Sequence, residues 1–570
     1  MVKMRKRLAV ACDACRSRRV KCDGQRPSCM GCLSRGLDCS YQRLPEPPAT
    51  RLETELANVN MRLDYLAMLL SRQSQPQAPP PVLLASARPS SNPLSSHEDS
   101  PFRLLATDSI MSVLGLEDHF ARRLVQLERA SLLASTTTLS RMFFISHQQV
   151  TDALIAFSER VHTFYPILPL DFSERYFATL SGPLAPSCQT CLALLVAAIG
   201  CIARDPTMGD EYFEAALASL PTVLAECTLA SIQCLVFLSI YYCCRLKPCQ
   251  AHDYCLIASF KIQNLFKSAL QSTDDDTLEL TYRAYWAILL LESELSVQLD
   301  VATSDTWKLD EYIPLPNCRY TWQFSCPPLP GNLAGVSPES ASSSSSSISI
   351  DSTNSSTSTA SDQAQSFFLA EIAMRRMLHR CNSAVAQSSD GRFCYAPSIA
   401  LELERQLEEW YDYLPASIRF VREPAGGSFN GDQSALSPLS TFLNVQYCCC
   451  KLSIYWPAVY QVIQDDKATP QLLEHCQRFI DSYVQLLPRI ALAIDKCLIY
   501  KWTLSVTFFV TTMAALKVAN TAALRAAQHE RLHESLALAG TVGWKNTEDS
   551  PSLELLRLNL SQHLREAKQK

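Results

Sequence analysis

Near the amino end, Cys12, Cys15, Cys22, Cys29, Cys32 and Cys39 spell C-x2-C-x6-C twice, the second copy displaced from the first by seventeen residues. A segment of about forty residues cannot bury enough apolar surface to hold itself together, so something other than a hydrophobic core must fix its fold. Zinc bound by four thiolates at about 2.3 Å does this, and a C-x2-C pair opening a helical turn aims two sulfurs at one ion. One zinc would leave two of the six thiols unused. Two zincs need eight ligand positions, which six cysteines fill if two sulfurs bridge the metals. A binuclear cluster with two zinc ions per chain is therefore the economical arrangement, and metal binding supplies much of the folding free energy of this head.

Charge separates the head from the rest. Residues 1–43 hold eleven Lys or Arg against Asp13, Asp23 and Asp38, a sum of +8, whereas the whole chain of 570 residues sums to −5. A basic head on an acidic body suits a polyanion partner for the head and a different task for the body. Within the head the first copy carries Arg16, Arg18, Arg19 and Lys21, and the matching stretch of the second carries Arg35 alone. The first copy is expected to face the polyanion. No secretory signal is legible: the apolar stretch after Lys3, Arg5, Lys6 and Arg7 ends at Asp13. The 24 cysteines are then expected as thiols or metal ligands in a reducing compartment.

The run Cys12-Asp13-Ala14-Cys15-Arg16-Ser17-Arg18-Arg19-Val20-Lys21-Cys22-Asp23, followed by Arg26-Pro27-Ser28-Cys29-Met30-Gly31-Cys32 and Gly36-Leu37-Asp38-Cys39, resembles the fungal zinc binuclear cluster (Zn2Cys6) transcription factors. The resemblance implies Cys12 and Cys29 as bridging thiolates, Cys15 and Cys22 completing one zinc, and Cys32 and Cys39 the other. It implies double-stranded DNA as partner and a CGG-like triplet read in the major groove. The base-reading position falls at Arg19, with Arg18 and Lys21 beside it and Arg16 toward phosphate. Some of these charges contact phosphate alone, which adds affinity without sequence preference.

One triplet discriminates too little, at roughly 1–3 kcal/mol per base pair, so a second head is needed. Leu52, Leu56, Val59, Leu63, Leu66 and Leu70 alternate spacings of four and three, the seam of a coiled coil, and predict a dimerisation helix over 52–70 that makes the protein a homodimer. Residues 44–51, opened by Leu44-Pro45-Glu46-Pro47-Pro48, read as a semi-rigid linker, and 71–101 as a disordered linker.

Glycine is scarce, 15 of 570 residues, which disfavours turn-rich β architectures. The expected fold class is mainly all-α: the small binuclear zinc head, the short coiled coil, and a large helical regulatory domain in two parts, 102–330 and 367–570. Between the parts, 337–361 holds 17 Ser or Thr and reads as a disordered insertion. Helical periods run over 145–165, 188–204, 227–246, 251–268 and 279–299. Over about 145–520 the body also resembles the middle homology regulatory region found downstream of such clusters. The echoes are Val161-His162-Thr163-Phe164-Tyr165-Pro166, Ser231-Ile232-Gln233-Cys234-Leu235, Tyr285-Trp286-Ala287-Ile288-Leu289 and Leu407-Glu408-Glu409-Trp410-Tyr411.

Several features compete with this reading. His529-Glu530-Arg531-Leu532-His533 spells H-E-x-x-H, which on a helix places two imidazoles on one face as in a zinc-dependent hydrolase, with Glu548 as a conjectural third ligand. A polar helix face is the simpler account. The uncharged stretches 227–244, 188–203 and 502–516 approach membrane-span length but read as buried helices. His162 and His252 read as core or surface residues rather than ligands, and Cys448-Cys449-Cys450 points three ways around a helix and reads as packing. The expectation is a nuclear, dimeric, non-enzymatic activator. It would work through the transcription machinery, without a membrane, on a metabolic or biosynthetic gene set, including secondary metabolism.

Overall fold

The structure is a computed structural model that describes residues 11–25, 27–40, 108–130, 145–268, 274–299, 301–318, 320–324, 354–381, 385–387, 393–422, 436–528, 530–542, 544, 547 and 550–569. The chain divides into two compact units, Met1–Pro93 and Leu94–Lys570. The expected coil at 52–70 and the linkers 44–51 and 71–101 lie outside the described residues.

In the first unit, two short helices each start just after the first cysteine of a C-x2-C pair, α1 (Asp13–Ser17) and α2 (Met30–Leu33). Cys12, Cys15, Cys29 and Cys32 form its only buried cluster among the described residues, so sulfur takes the place of a hydrocarbon core there.

The second unit is helical. The predicted periods appear as helices Cys188–Arg204, Leu229–Cys244, Pro248–Ser268 and Asp275–Gln298, and as His147–Phe157 extended by a π turn at Ser158–His162. Helix starts follow from capping. Ser187 Oγ accepts from the Thr190 amide at 3.1 Å, and Thr228 and Ser231 exchange side-chain bonds with each other's amides, both at 3.2 Å. The Cys188–Arg204 helix is apolar on nearly every side and correspondingly buried all round. At Gly200 it approaches the His147–Phe157 helix so closely that a Cβ would stand 2.0 Å from the Ala153 carbonyl oxygen.

Both parts of the body build this one unit. Tyr500 donates its hydroxyl to the Tyr165 hydroxyl at 2.8 Å, Gln298 Nε2 donates to Thr507 Oγ1 at 3.2 Å, and Arg375 pairs with Glu294 at 2.5 Å. Glu128 Oε1 accepts from Ser550 Oγ at 2.6 Å and from the Ser552 amide at 3.1 Å, tying an early helix to the start of the last, Pro551–Gln569. The Leu498–Asn520 segment is long and apolar enough to cross a membrane, yet 78% of its apolar window is buried within the protein.

Two details depart from expectation. Composition bounds the Ser-rich insertion at 361 and predicts helix from 367, but the helix runs from Asn354 to Cys381. Tertiary contact overrides composition here: Ser361 Oγ lies 2.7 Å from Thr321 Oγ1, and Ala364, Phe367 and Phe368 bury at spacings of three and four. The body also contains one antiparallel ribbon, β1 (Val385–Gln387) paired with β2 (Phe393–Tyr395).

Candidate metal centre and nucleic-acid interface

The head repeats in structure as it does in sequence. After α1 the Val20 amide donates back to the Cys15 carbonyl at 3.1 Å, and after α2 the Leu37 amide donates to the Cys32 carbonyl at 3.1 Å. Both are six-to-one closures of a helix end, which require a left-handed residue just before the donor. In the second copy that residue is Gly36, with φ of 59°; in the first it is Arg19, with φ of 55°. Glycine takes this conformation without steric cost, whereas a residue with a Cβ loses roughly 1 kcal/mol or more. Seventeen residues apart, the two copies thus solve one turn with different residues, and the basic copy accepts the strain.

The copies also close on each other. The residue after the third cysteine of one copy meets the residue after the first cysteine of the other. Asp23 Oδ2 accepts from the Met30 amide at 3.1 Å, and the Ser40 carbonyl accepts from the Asp13 amide at 2.9 Å. Ser40 Oγ adds a bond to Asp13 Oδ2 at 3.0 Å. Sequence reasoning missed these clasps, although overlaying the two copies pairs Asp13 with Met30 and Asp23 with Ser40.

Sulfur geometry tests whether zinc fits. Cys12 Sγ lies 3.7 Å from Cys29 Sγ and 3.6 Å from Cys32 Sγ, and Cys15 Sγ lies 3.7 Å and 3.9 Å from the same two. A tetrahedron with Zn–S bonds of about 2.3 Å has edges of about 3.8 Å, so the donors fit. Cys22 and Cys39 are half-buried beside this group: Cys22, Asp23 and Cys29 place their ligand atoms within 4.8 Å of one another, and Cys39 Sγ accepts from the Cys29 amide at 3.3 Å. All six predicted cysteines are therefore gathered, four tightly and two at the margin. Burial pushes the thiols of Cys12 and Cys29 up, and the Cys29 amide draws Cys39 down.

Arg18, Arg19 and Lys21 are exposed, and Arg16 lies in the backbone of α1. Arg18, Arg19 and Lys21 thus form a solvated cationic run just after the first copy's helix. The dimerisation residues Leu52, Leu56, Val59, Leu63, Leu66 and Leu70 fall outside the described residues.

The competing motifs resolve differently. His162 is fully buried, its Nε2 accepts from the Leu168 amide at 3.2 Å, and its pKa is lowered to about 3 by burial, a neutral core histidine. His252 is likewise buried and lowered by burial. Cys448, Cys449 and Cys450 are all buried, with Cys450 Sγ 3.6 Å from Cys381 Sγ. His533 stands exposed on the Glu530–Ala539 helix, while His529 and Glu548 lie outside the described residues. Among the described residues, the groups of three or more metal-competent side chains both lie in the head.

A family model described as the fungal Zn(2)-Cys(6) binuclear cluster domain matches residues 10–47. The chain is 96% identical over 570 residues to the Aspergillus rugulosus protein named "Putative transcription factor ecdB", covering 100% of each. Local matches include transcription factor FBD3 of Gibberella moniliformis, 50% identical over 70 residues, 12% of this chain and 8% of that one. Transcription factor qa-1f of Neurospora crassa is 50% identical over 80 residues, 12% of this chain and 10% of that one. No solved structure matches the chain.

Proposed function

The chain belongs to the fungal Zn(2)-Cys(6) binuclear cluster transcription factors, a family of DNA-binding regulators rather than enzymes, and on that premise we propose that it acts in the nucleus as a dimeric activator reading CGG-like triplets. Two zinc ions per chain hold the head, with Cys12 and Cys29 shared, Cys15 and Cys22 on one ion, and Cys32 and Cys39 on the other. Zinc supplies charge neutralisation of the thiolates and rigidity, and all contact with DNA falls to the chain's own residues.

The observation that carries the reading is the asymmetry of the repeat. Arg19 occupies the left-handed turn where the second copy has Gly36, so the first copy keeps a long cationic side chain at a position that backbone energetics would give to glycine. Strain of this kind persists where the side chain is used. Arg19 then donates to the O6 and N7 acceptors of guanine in the major groove. Arg18 and Lys21 lie beside it, and Arg16 turns toward phosphate. The 52–70 helix pairs two heads, and residues 40–51 set the spacing of the half-sites. The helical body is the regulatory part, and the targets are a metabolic or biosynthetic gene set reached through the transcription machinery.

Selection of bound sequences from random duplexes by the full-length protein tests this directly. The expected outcome is enrichment of paired CGG-like triplets at one spacing, abolished by a zinc chelator and by Cys22→Ala. Enrichment of no sequence, or binding that survives chelation undiminished, would remove the proposal.

A further inference from the structure

We infer that the head has a one-ion state seated on Cys12, Cys15, Cys29 and Cys32, distinct from the shared-thiolate pair of ions proposed above. It rests on that proposal only in taking the head to bind zinc. Each C-x2-C pair opens one of the two short helices, and the two helix starts face each other. The four sulfurs are nearly inaccessible, with residue exposures of 0%, 3%, 0% and 1%. Four of their six separations are 3.6–3.9 Å, and all six fall within 4.8 Å.

In the shared arrangement Cys15 and Cys32 serve different ions, and no common ligand bond draws them together. Here their sulfurs stand 3.9 Å apart, a tetrahedral edge for a single zinc. Two facing C-x2-C pairs make the closed four-thiolate donor set of a structural zinc site. Cys22 and Cys39 are the more accessible pair, each held beside the quartet through Cys29.

Cys12, Cys15, Cys29 and Cys32 would hold a first ion as thiolates, four thiol protons leaving to solvent, and would so be locked together with the two helix starts they belong to. Holding a second ion would require Cys22 and Cys39 to lose their two thiol protons to solvent, Cys12 and Cys29 to be shared, and Cys32 to leave the ion kept by Cys15 for the other, so that Cys15 and Cys32 part. The bonds from the Met30 amide to Asp23 Oδ2 and from the Asp13 amide to the Ser40 carbonyl join the two copies without using sulfur, so the scaffold survives this exchange of ligands.

The test uses the full-length chain, stripped of metal and given one equivalent of Zn(II), then alkylated with iodoacetamide and mapped by peptide mass. Cys22 and Cys39 should label roughly tenfold or more faster than Cys12, Cys15, Cys29 and Cys32, and a second equivalent should protect all six. Labelling of Cys15 or Cys32 as fast as Cys22 would overturn the inference. As a second measurement, the double variant Cys22→Ser/Cys39→Ser should retain one Co(II) per chain with a four-thiolate spectrum, whereas Cys15→Ser/Cys32→Ser should bind roughly tenfold or more weakly. Equal affinities, or no ion in the first variant, would also overturn it. Wild-type saturation at one ion would sink the two-ion proposal and leave the quartet standing. Saturation at two, with Cys15 or Cys32 labelled at one equivalent, would sink the quartet alone.

Discussion

Arg19 is where backbone cost and recognition meet in a single residue. Its φ of 55° matches the 59° of Gly36 at the equivalent turn, so glycine is the residue that the local geometry prefers. Arg19→Gly is expected to relieve roughly 1 kcal/mol of strain, partly offset by the greater freedom of glycine in the unfolded chain. The variant should therefore hold zinc against a competing chelator at least as well as wild type. Its preference for a CGG-bearing duplex over a scrambled one should fall about tenfold, the worth of one good base contact. Arg19→Lys should keep the affinity and more of the preference. Unchanged discrimination in Arg19→Gly would show that another residue reads the base.

At the scale of elements, helix contacts in the body are set by a few close approaches. The Gly200 Cβ position lies 2.0 Å from the Ala153 oxygen and 2.6 Å from its carbonyl carbon, both backbone atoms that cannot rotate aside. Gly200→Ala must push the Cys188–Arg204 and His147–Phe157 helices apart. A loss of about 1–3 kcal/mol is expected in urea unfolding of the body, despite the gain in helix propensity from alanine. A stabilised variant would contradict the packing. Thr228→Ala removes one arm of the reciprocal cap at the start of Leu229–Cys244 and should cost about 1 kcal/mol in the same measurement.

Across the whole molecule, the two parts of the body meet at a buried charge cluster. Arg375 pairs with Glu294 at 2.5 Å and with Glu371 at 3.1 Å. One guanidinium cannot neutralise two buried carboxylates, and burial, opposed by Arg375 and reinforced by Glu294, pushes Glu371 up to about 7 from 4.5. The two carboxylates together keep Arg375 charged. A carboxyl raised in the folded state binds its proton more tightly there than when unfolded. Its contribution to stability is full below about 4.5 and is lost as pH rises through about 7. Body stability should therefore fall across this window, and Glu371→Gln should flatten that fall. Denaturant midpoints at pH 5 and pH 8 for both proteins check it, and parallel pH dependence would refute the assignment. Chelation, by contrast, should abolish duplex binding while leaving the body's thermal transition in place, because the body's buried core is hydrocarbon and the head's is sulfur.

Much of this is legible in the order of residues alone. Cysteine spacing names a donor set because bond lengths and tetrahedral angles leave few ways to satisfy four thiolates, and long apolar periods name helices because a 3.6-residue turn must bury one face. Hence the six metal-competent cysteines, the basic run after Cys15, and the helices 188–204 and 227–246 are all readable from the sequence, the last observed as Leu229–Cys244. Tertiary structure alone decided which sulfurs crowd together, that Arg19 sits in the left-handed turn of its glycine counterpart, and that Ser361 joins a helix through Thr321. It also decided that Glu371 and Glu294 share one arginine. The sulfur grouping, the Ser361–Thr321 contact and the Glu294–Arg375 pair join residues far apart along the chain, and the turn at Arg19 is closed by the bond from the Val20 amide to the Cys15 carbonyl; these are contact energies that no residue pattern records.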